Sequence, residues 1–222
     1  MFCGKLCDNG EIRFICGDCY SVFAAFDSGR CIKCGKPRFG KNSLCAKCSH
    51  TQFSCGRAYH AYGLCDKTRF LVHQFKYSKN FEAAQAITGL MDKKGLLSAI
   101  SSDIIVPVPM HIIDKLKRGF NHSAFLAKMV SKITGVPVVE ALAKIKATPH
   151  QVGLTRTKRI KNIKNAFKAV KAGRIKGRKI LLFDDICTTG ATLNECAIAL
   201  KKAEVGSIEI MTFAVTAADS SF

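Results

Sequence analysis

The segment Leu181-Leu182-Phe183-Asp184-Asp185-Ile186-Cys187-Thr188-Thr189-Gly190-Ala191-Thr192 places two acids, then small hydroxyl residues and a glycine, directly after an apolar run. Adjacent carboxylates repel one another, a cost that a chain usually carries where a ligand meets them. Ionised, their oxygens only accept hydrogen bonds, which suits vicinal sugar hydroxyls. Thr188 to Thr192, opening a helix, can turn backbone N–H groups and hydroxyls toward a phosphate at the positive helix end. One short segment thus offers both halves of a site for a phosphorylated sugar. The plainer alternative is an ordinary turn before a helix capped by Thr189.

A second chemistry is written in the cysteines. Of 12 in the 222-residue chain, ten lie between Cys3 and Cys65. Cys31-x2-Cys34-Gly35 and Cys45-x2-Cys48 form two knuckles at a spacing that lets four thiolates meet one tetrahedral Zn²⁺. Cys3-x3-Cys7 and Cys16-x2-Cys19 make a second candidate set, with one residue too many in its first pair, so one or two zinc ions are expected. Four thiolates leave no open coordination position, which points to a structural rather than catalytic metal. For Cys55, Cys65, Cys187 and Cys196 the expected role is small apolar packing.

The third feature is charge. The formal net charge is +19, and from Lys144 through Lys179 there are Lys or Arg residues at 13 positions with no Asp or Glu. Lys158, Arg159, Lys161, Lys164 and Lys168 fall within eleven residues of that segment. Such a concentration attracts a polyanion; the alternative is a solvated surface that keeps the chain soluble. No run of about 18 apolar residues appears, so no transmembrane segment is expected. The start MFCGKLCDNG lacks the charged and apolar stretches of a secretory signal, so the expected location is cytoplasmic.

These groups need elements to hold them. Residues 1–55 are rich in Cys, Gly and polar side chains and would need metal to organise them. Beyond them, strand-like and helix-like segments alternate. Phe81 to Lys94 reads as a helix with Ala84, Ile87 and Met91 on one face, and Ile104 to Val106 as a short buried strand ended by Pro107 and Pro109. Asn121 to Thr134 reads as a helix, with Phe125, Met129 and Ile133 at four-residue spacing and Gly135 at its C-cap. Val136 to Leu142, Arg178 to Phe183 and Val205 to Val215 read as strands, and Thr192 to Ala203 as a helix. Residues 144–177 fit this scheme poorly. Ile160, Ile163 and Phe167 stand at helical intervals, but a basic loop or hairpin is expected there. The alternation predicts an α/β domain over residues 56–222, a parallel sheet with helices on both faces, after a cysteine module over 1–55.

The segment from Leu181 to Thr192 resembles the signature with which type I phosphoribosyltransferases bind phosphoribosyl diphosphate (PRPP). Phe75-Lys76-Tyr77, Val106-Pro107-Val108-Pro109 running into Lys117-Arg118-Gly119-Phe120-Asn121-His122, and Gln151-x2-Leu154 with Arg159, Asn162, Asn165, Ala166 and Phe167 extend the likeness. Together with the cysteine-rich start they resemble the ComF/ComFC family of competence proteins over nearly the whole chain. That resemblance implies a type I phosphoribosyltransferase-like fold behind a zinc ribbon, acting in natural transformation. It implies Asp184 and Asp185 at the ribose hydroxyls, Thr188, Thr189, Gly190, Ala191 and Thr192 around the 5-phosphate, and Mg²⁺ bridging pyrophosphate and hydroxyls. Lys76, Lys117 and Arg118 would lie near the pyrophosphate, with Gln151 and Arg159 on a closing loop. His122 would be a general acid, a ligand contact or a helix cap.

Three functions are compatible with this reading. The first is a cytoplasmic factor that handles incoming single-stranded DNA through the basic segment, binds PRPP and works with other DNA-uptake proteins; Phe120, Phe125 and Phe167 are candidate base-stacking rings. The others are an active phosphoribosyltransferase with an unknown acceptor, and an adaptor that recruits proteins through its zinc ribbon.

Overall fold

The structure, a computed structural model of the chain, describes residues 15, 20, 23, 29–36, 44–45, 48–49, 54–78, 80–146 and 162–216, without the side chains of 117 and 118. Its centre is strand β5, Lys179–Cys187, whose residues Ile180 to Phe183 are apolar toward both faces. A strand of that composition is stable only when covered on both sides. Strand β6, Ser207–Val215, lies parallel beside it, with β1, Arg57–Gly63, outside β6 and β2, Ile104–Pro107, on the other flank. The order is β1-β6-β5-β2, and every pairing is parallel. This is the parallel α/β sheet that the alternation predicts.

Side-chain alternation on β5 divides the interior. Leu181 and Phe183 point into a core shared with Ile105 and Phe213, covered by helices α1 (Asp66–Tyr77), α2 (Phe81–Lys93) and α4 (His122–Thr134) through Phe75, Ile87, Leu90, Leu126 and Val130. Ile180 and Leu182 face the other way, against Val106, Ile208 and Ile210. That side is covered by helix α6, Ala191–Lys201, and by an antiparallel pair of short strands, β3 (Leu142–Lys144) and β4 (Phe167–Ala169). Truncating a central side chain such as Leu182 to Ala costs about 2–5 kcal/mol in sites of this kind. Two shorter helices, α3 (Ile112–Arg118) and α5 (Ala172–Ile175), complete the described elements.

Several boundaries differ from expectation for definite reasons. Strand β5 runs four residues beyond Phe183, because β6 continues beside it as far as Val215. The acid pair is therefore inside a strand rather than after it. The expected strand from Val136 to Leu142 is not continuous: Val138 makes a single bridge beside Ile105, since Pro137 has no N–H to donate, and Leu142 already begins β3. On α4 the buried stripe is Leu126, Ala127 and Val130, while Ile133 is half exposed. Phe167 does not continue a helix from Ile163. Asn165 at φ 54° breaks the turn, and Phe167 enters β4 with its ring in the second core. The base of the 144–177 segment is thus a hairpin. Among the described residues, no helix is long and apolar enough to cross a membrane.

Candidate functional site

The site opens where strand lengths differ. Strand β2 ends opposite Phe183, at Pro107, while β5 continues through Asp184 and Asp185 with pairing only on its β6 side. A cleft of about 460 Å³ fills the gap, lined by Lys76, Asn121, His122, Ser123, Lys144, Asp184, Asp185, Thr188 and Thr192 among others. It lies beyond the carboxyl end of the shorter strand, where open α/β sheets take ligands.

The two acids are held differently. Asp185 Oδ2 is 2.5 Å from Lys76 Nζ, an ion pair across from the end of α1. Burial alone would lower the Lys76 pKa, but the attraction of Asp185 outweighs it and holds the group above the ordinary lysine value. Asp184 has a hydroxyl partner instead. Ser123 Oγ, in the first turn of α4, donates to its Oδ1 at 2.6 Å. Asn121 caps that helix by accepting from the Ser123 and Ala124 N–H groups and donates from Nδ2 to the Val108 carbonyl. Burial and the neighbouring Asp185 push Asp184 up to about 7, against the lowering effects of Ser123 and Lys76. Two carboxylates thus share one lysine, and the deficit of positive charge suits sugar hydroxyls or a hard cation such as Mg²⁺ carried by a phosphate ligand.

After β5 the chain enters the loop that opens α6. Gly190 adopts φ 77° at the helix N-cap, a left-handed conformation that glycine takes without a Cβ penalty. Thr189 Oγ1 accepts from the Ala191 N–H at 3.3 Å, but the N-cap position belongs to Gly190, so Thr189 lies in the loop and is not the helix cap that the plainer alternative expected. Thr188 and Thr192 face the cleft.

The remaining sequence candidates divide by position. Lys117 and Arg118 end α3, whose Asp114 lines the cleft. Gln151, Arg159, Lys158 and Lys161 lie outside the described residues, as do Cys3, Cys7, Cys16 and Cys19. Lys164 and Lys168 are exposed on the hairpin. Lys144, the last residue of β3 in that hairpin, lines the cleft, and its pKa is lowered by burial and only partly restored by Asp114. His122 is not the helix cap; its Nε2 lies 3.2 Å from the Lys76 carbonyl and its ring packs on Phe75 and Phe120. The candidate stacking rings are committed elsewhere. Phe120 and Phe125 pack against Phe75 and Phe81, and Phe167 is buried. Ser123 escaped the sequence reading because a serine early in a helix carries no sign of which acid it will meet.

The first cysteine set assembles. The Sγ atoms of Cys31, Cys34, Cys45 and Cys48 all lie within 4.8 Å of one another. Tetrahedral zinc with bonds of about 2.3 Å sets sulfurs about 3.8 Å apart, and Cys34 Sγ and Cys45 Sγ are 3.7 Å apart. Burial pushes the Cys48 thiol up to about 11 and Cys34 higher still, with added repulsion from the neighbouring thiols. Cys31 falls to about 6, because N–H groups of Cys34, Cys45 and Lys33 together outweigh its burial. A dication is the charge that keeps all four as thiolates, so the residues fit structural zinc. Cys55, Cys187 and Cys196 are buried in the second core, whereas Cys65 is exposed at the N-cap of α1.

Comparison with known proteins agrees with this geometry. The family model described as "Phosphoribosyl transferase domain" matches residues 77–221. The chain is similar to "Competence protein F" of Haemophilus influenzae, 29% identical over 83% of this chain and 96% of the relative. It is 27% identical to "DNA utilization protein YhgH" of Salmonella typhimurium, over 88% of this chain and 94% of that one. With "Competence protein ComFC" of Bacillus subtilis it shares 23% identity over 89% of this chain and 82% of that one.

Proposed function

Because the chain belongs to the phosphoribosyl transferase domain family, we propose that it is a DNA-uptake protein that binds PRPP in the cleft beside β5 and handles single-stranded DNA in the cytoplasm. The names of the relatives support the first part: two are competence proteins and one a DNA utilization protein. The single observation that carries PRPP binding is the acid pair on the unpaired edge of β5, followed at once by a glycine-capped helix start. Asp184 and Asp185 take the ribose hydroxyls, and residues Thr188 to Thr192 surround the 5-phosphate with N–H groups and hydroxyls. Lys76, Lys117 and Arg118 supply positive charge for the pyrophosphate, and Gln151 and Arg159 belong to a loop that closes over the site. Mg²⁺ bound between the pyrophosphate and the ribose hydroxyls would neutralise charge there. Residues 1–55 form the zinc ribbon and 56–222 the PRPP-binding domain, whose surfaces are available to other DNA-uptake proteins.

DNA binding rests on the acid-free segment, which starts at the cleft with Lys144 and continues onto the exposed hairpin lysines Lys164 and Lys168. The test has two arms. PRPP with Mg²⁺ at a hundred-fold excess over Kd is expected to stabilise the wild type by about 2.7 kcal/mol, a rise in Tm of about 5–10 °C for a chain of this size. The double variant Asp184→Ala, Asp185→Ala loses that shift; a double variant that still responds fully puts the site elsewhere. Replacing Lys158, Arg159, Lys161, Lys164 and Lys168 with Gln is expected to weaken single-stranded DNA binding and flatten its salt dependence by a slope of roughly 0.7 per lost phosphate contact. Unchanged affinity and slope would return the charge to a solvated surface. Labelled PRPP incubated with candidate acceptors, with diphosphate release measured, separates binding from transfer.

A further inference from the structure

The cysteine knuckle does more than sit beside the sheet. Its turn is closed by the Cys31 N–H to the Lys36 carbonyl at 2.9 Å and the Gly35 N–H to the Cys31 carbonyl at 2.9 Å. Gly35, at φ 64°, lies so close to β1 that a Cβ would stand 2.3 Å from the Ala58 carbonyl oxygen. The Ala58 N–H donates to the Lys33 carbonyl at 2.9 Å. Buried His60 bridges inward: Nε2 lies 2.8 Å from the Cys34 carbonyl and Nδ1 2.7 Å from Thr212 Oγ1 on β6. A carbonyl only accepts, so Nε2 carries the proton.

From this docked turn one side chain reaches the other site. Lys36 Nζ donates to the Thr188 carbonyl at 2.6 Å and lies 3.5 Å from Thr216 Oγ1, which itself donates to the same carbonyl at 2.9 Å. An ammonium is a natural phosphate ligand, yet here it is spent on the backbone of the loop that follows the acid pair. The described peptides include no cis bond. In a trans peptide the Thr188 carbonyl and the Thr189 N–H face opposite ways. Holding the carbonyl on Lys36 therefore turns the Thr189 N–H away from the knuckle and fixes the first peptide of the loop before any ligand arrives.

We propose that Lys36 is a positioning residue that ties the tetracysteine site to the phosphate loop, so that metal occupancy and PRPP affinity are coupled through one side chain. The assignment of PRPP as the ligand rests on the function proposed above; the mechanical tie does not. Coupling between two sites is reciprocal, so bound PRPP must in turn tighten metal binding.

The experiment uses the zinc-loaded full chain with Lys36→Met, which keeps the stem and removes the charge. Zinc content is expected to match wild type, while amide hydrogen exchange over residues 188–190 and the Kd for PRPP both rise by about ten-fold, as for loss of one charge-assisted hydrogen bond. PRPP should lower the equilibrium fraction of zinc taken by a competing chelating dye in the wild type and leave it unchanged in Lys36→Met, a readout that a merely structural lysine would not move. Lys36→Arg should recover part of each effect. Normal zinc with unchanged exchange and unchanged affinity overturns the proposal while the PRPP reading stands. If the wild type fails to bind PRPP, that reading falls, and the exchange measurement alone decides the tie. If Lys36→Met loses zinc, chelator titration of the wild type decides: exchange at 188–190 rising in step with metal loss supports the tie, and exchange held at its zinc-loaded value overturns it.

Discussion

The tetracysteine knuckle and the β5 cleft are both charge-dense sites, but they are assembled in opposite ways. The knuckle draws its four cysteines from positions 31 to 48, and among the described residues its cluster is built from those cysteines with Leu44 packed against them. The cleft draws Lys76 from α1, Ser123 from α4 and its acids from β5, all anchored in the two large cores. Burial resists ionisation of Cys34 and Cys48 while backbone N–H groups favour the Cys31 thiolate, so the cluster lacks a compensating positive charge that a metal would supply as part of that fold. The acid pair already has a lysine and a hydroxyl as partners, so the cleft does not need a ligand to hold it together. The two sites thus differ in how far the protein itself compensates the charge.

The largest expected effect tests the knuckle side of that contrast. Cys31→Ser or Cys48→Ser should each lose about one equivalent of zinc and unfold the knuckle, since structural zinc supplies about 10–16 kcal/mol of apparent binding energy in small zinc domains. Elemental analysis with a thermal melt checks this, and unchanged zinc in both variants would break the assignment.

On the cleft side, Lys76→Met strands the Asp185 carboxylate in a buried position. Removing one partner of a buried ion pair typically costs about 3–5 kcal/mol. A denaturant melt is expected to register that loss, with a smaller one for Ser123→Ala, because a neutral hydroxyl contributes less than an ammonium. Equal effects would mean that the acids are compensated by other groups.

The smallest effect is the most specific. Asp184 stands at about 7 in the fold, against about 3.9 in an unfolded chain. Between those values the folded state holds a proton that the unfolded state has released, so this group makes the ligand-free protein less stable as pH rises from about 4 to 7. The Tm of wild type relative to Asp184→Asn is expected to fall by a few degrees from pH 5 to pH 8, while PRPP affinity of the wild type rises over the same range. His60, pushed down to about 4 by burial, acts with the opposite sign below its usual pKa and is common to both proteins. A flat difference would place the Asp184 titration outside this window.

Much of this protein was legible before any coordinate. The run from Ile180 to Phe183 had to be a covered strand, because its residues are apolar toward both faces. Cys31, Cys34, Cys45 and Cys48 had to meet if they bound one ion, because knuckle spacing is local. The acid pair and the Thr-Thr-Gly turn announced their chemistry through residue type alone. Tertiary structure decided what depends on distance across the fold. It alone gave Asp184 a serine and Asp185 a lysine, because those partners lie 61 and 109 positions away in the chain. It turned the helical spacing of Ile163 and Phe167 into the end of a turn and a strand, because the second core takes both side chains in that form. It also carried Lys36 to a carbonyl 152 residues distant. Periodicity reports which face of a segment is buried, but only the packed sheet determines which remote backbone that face will touch.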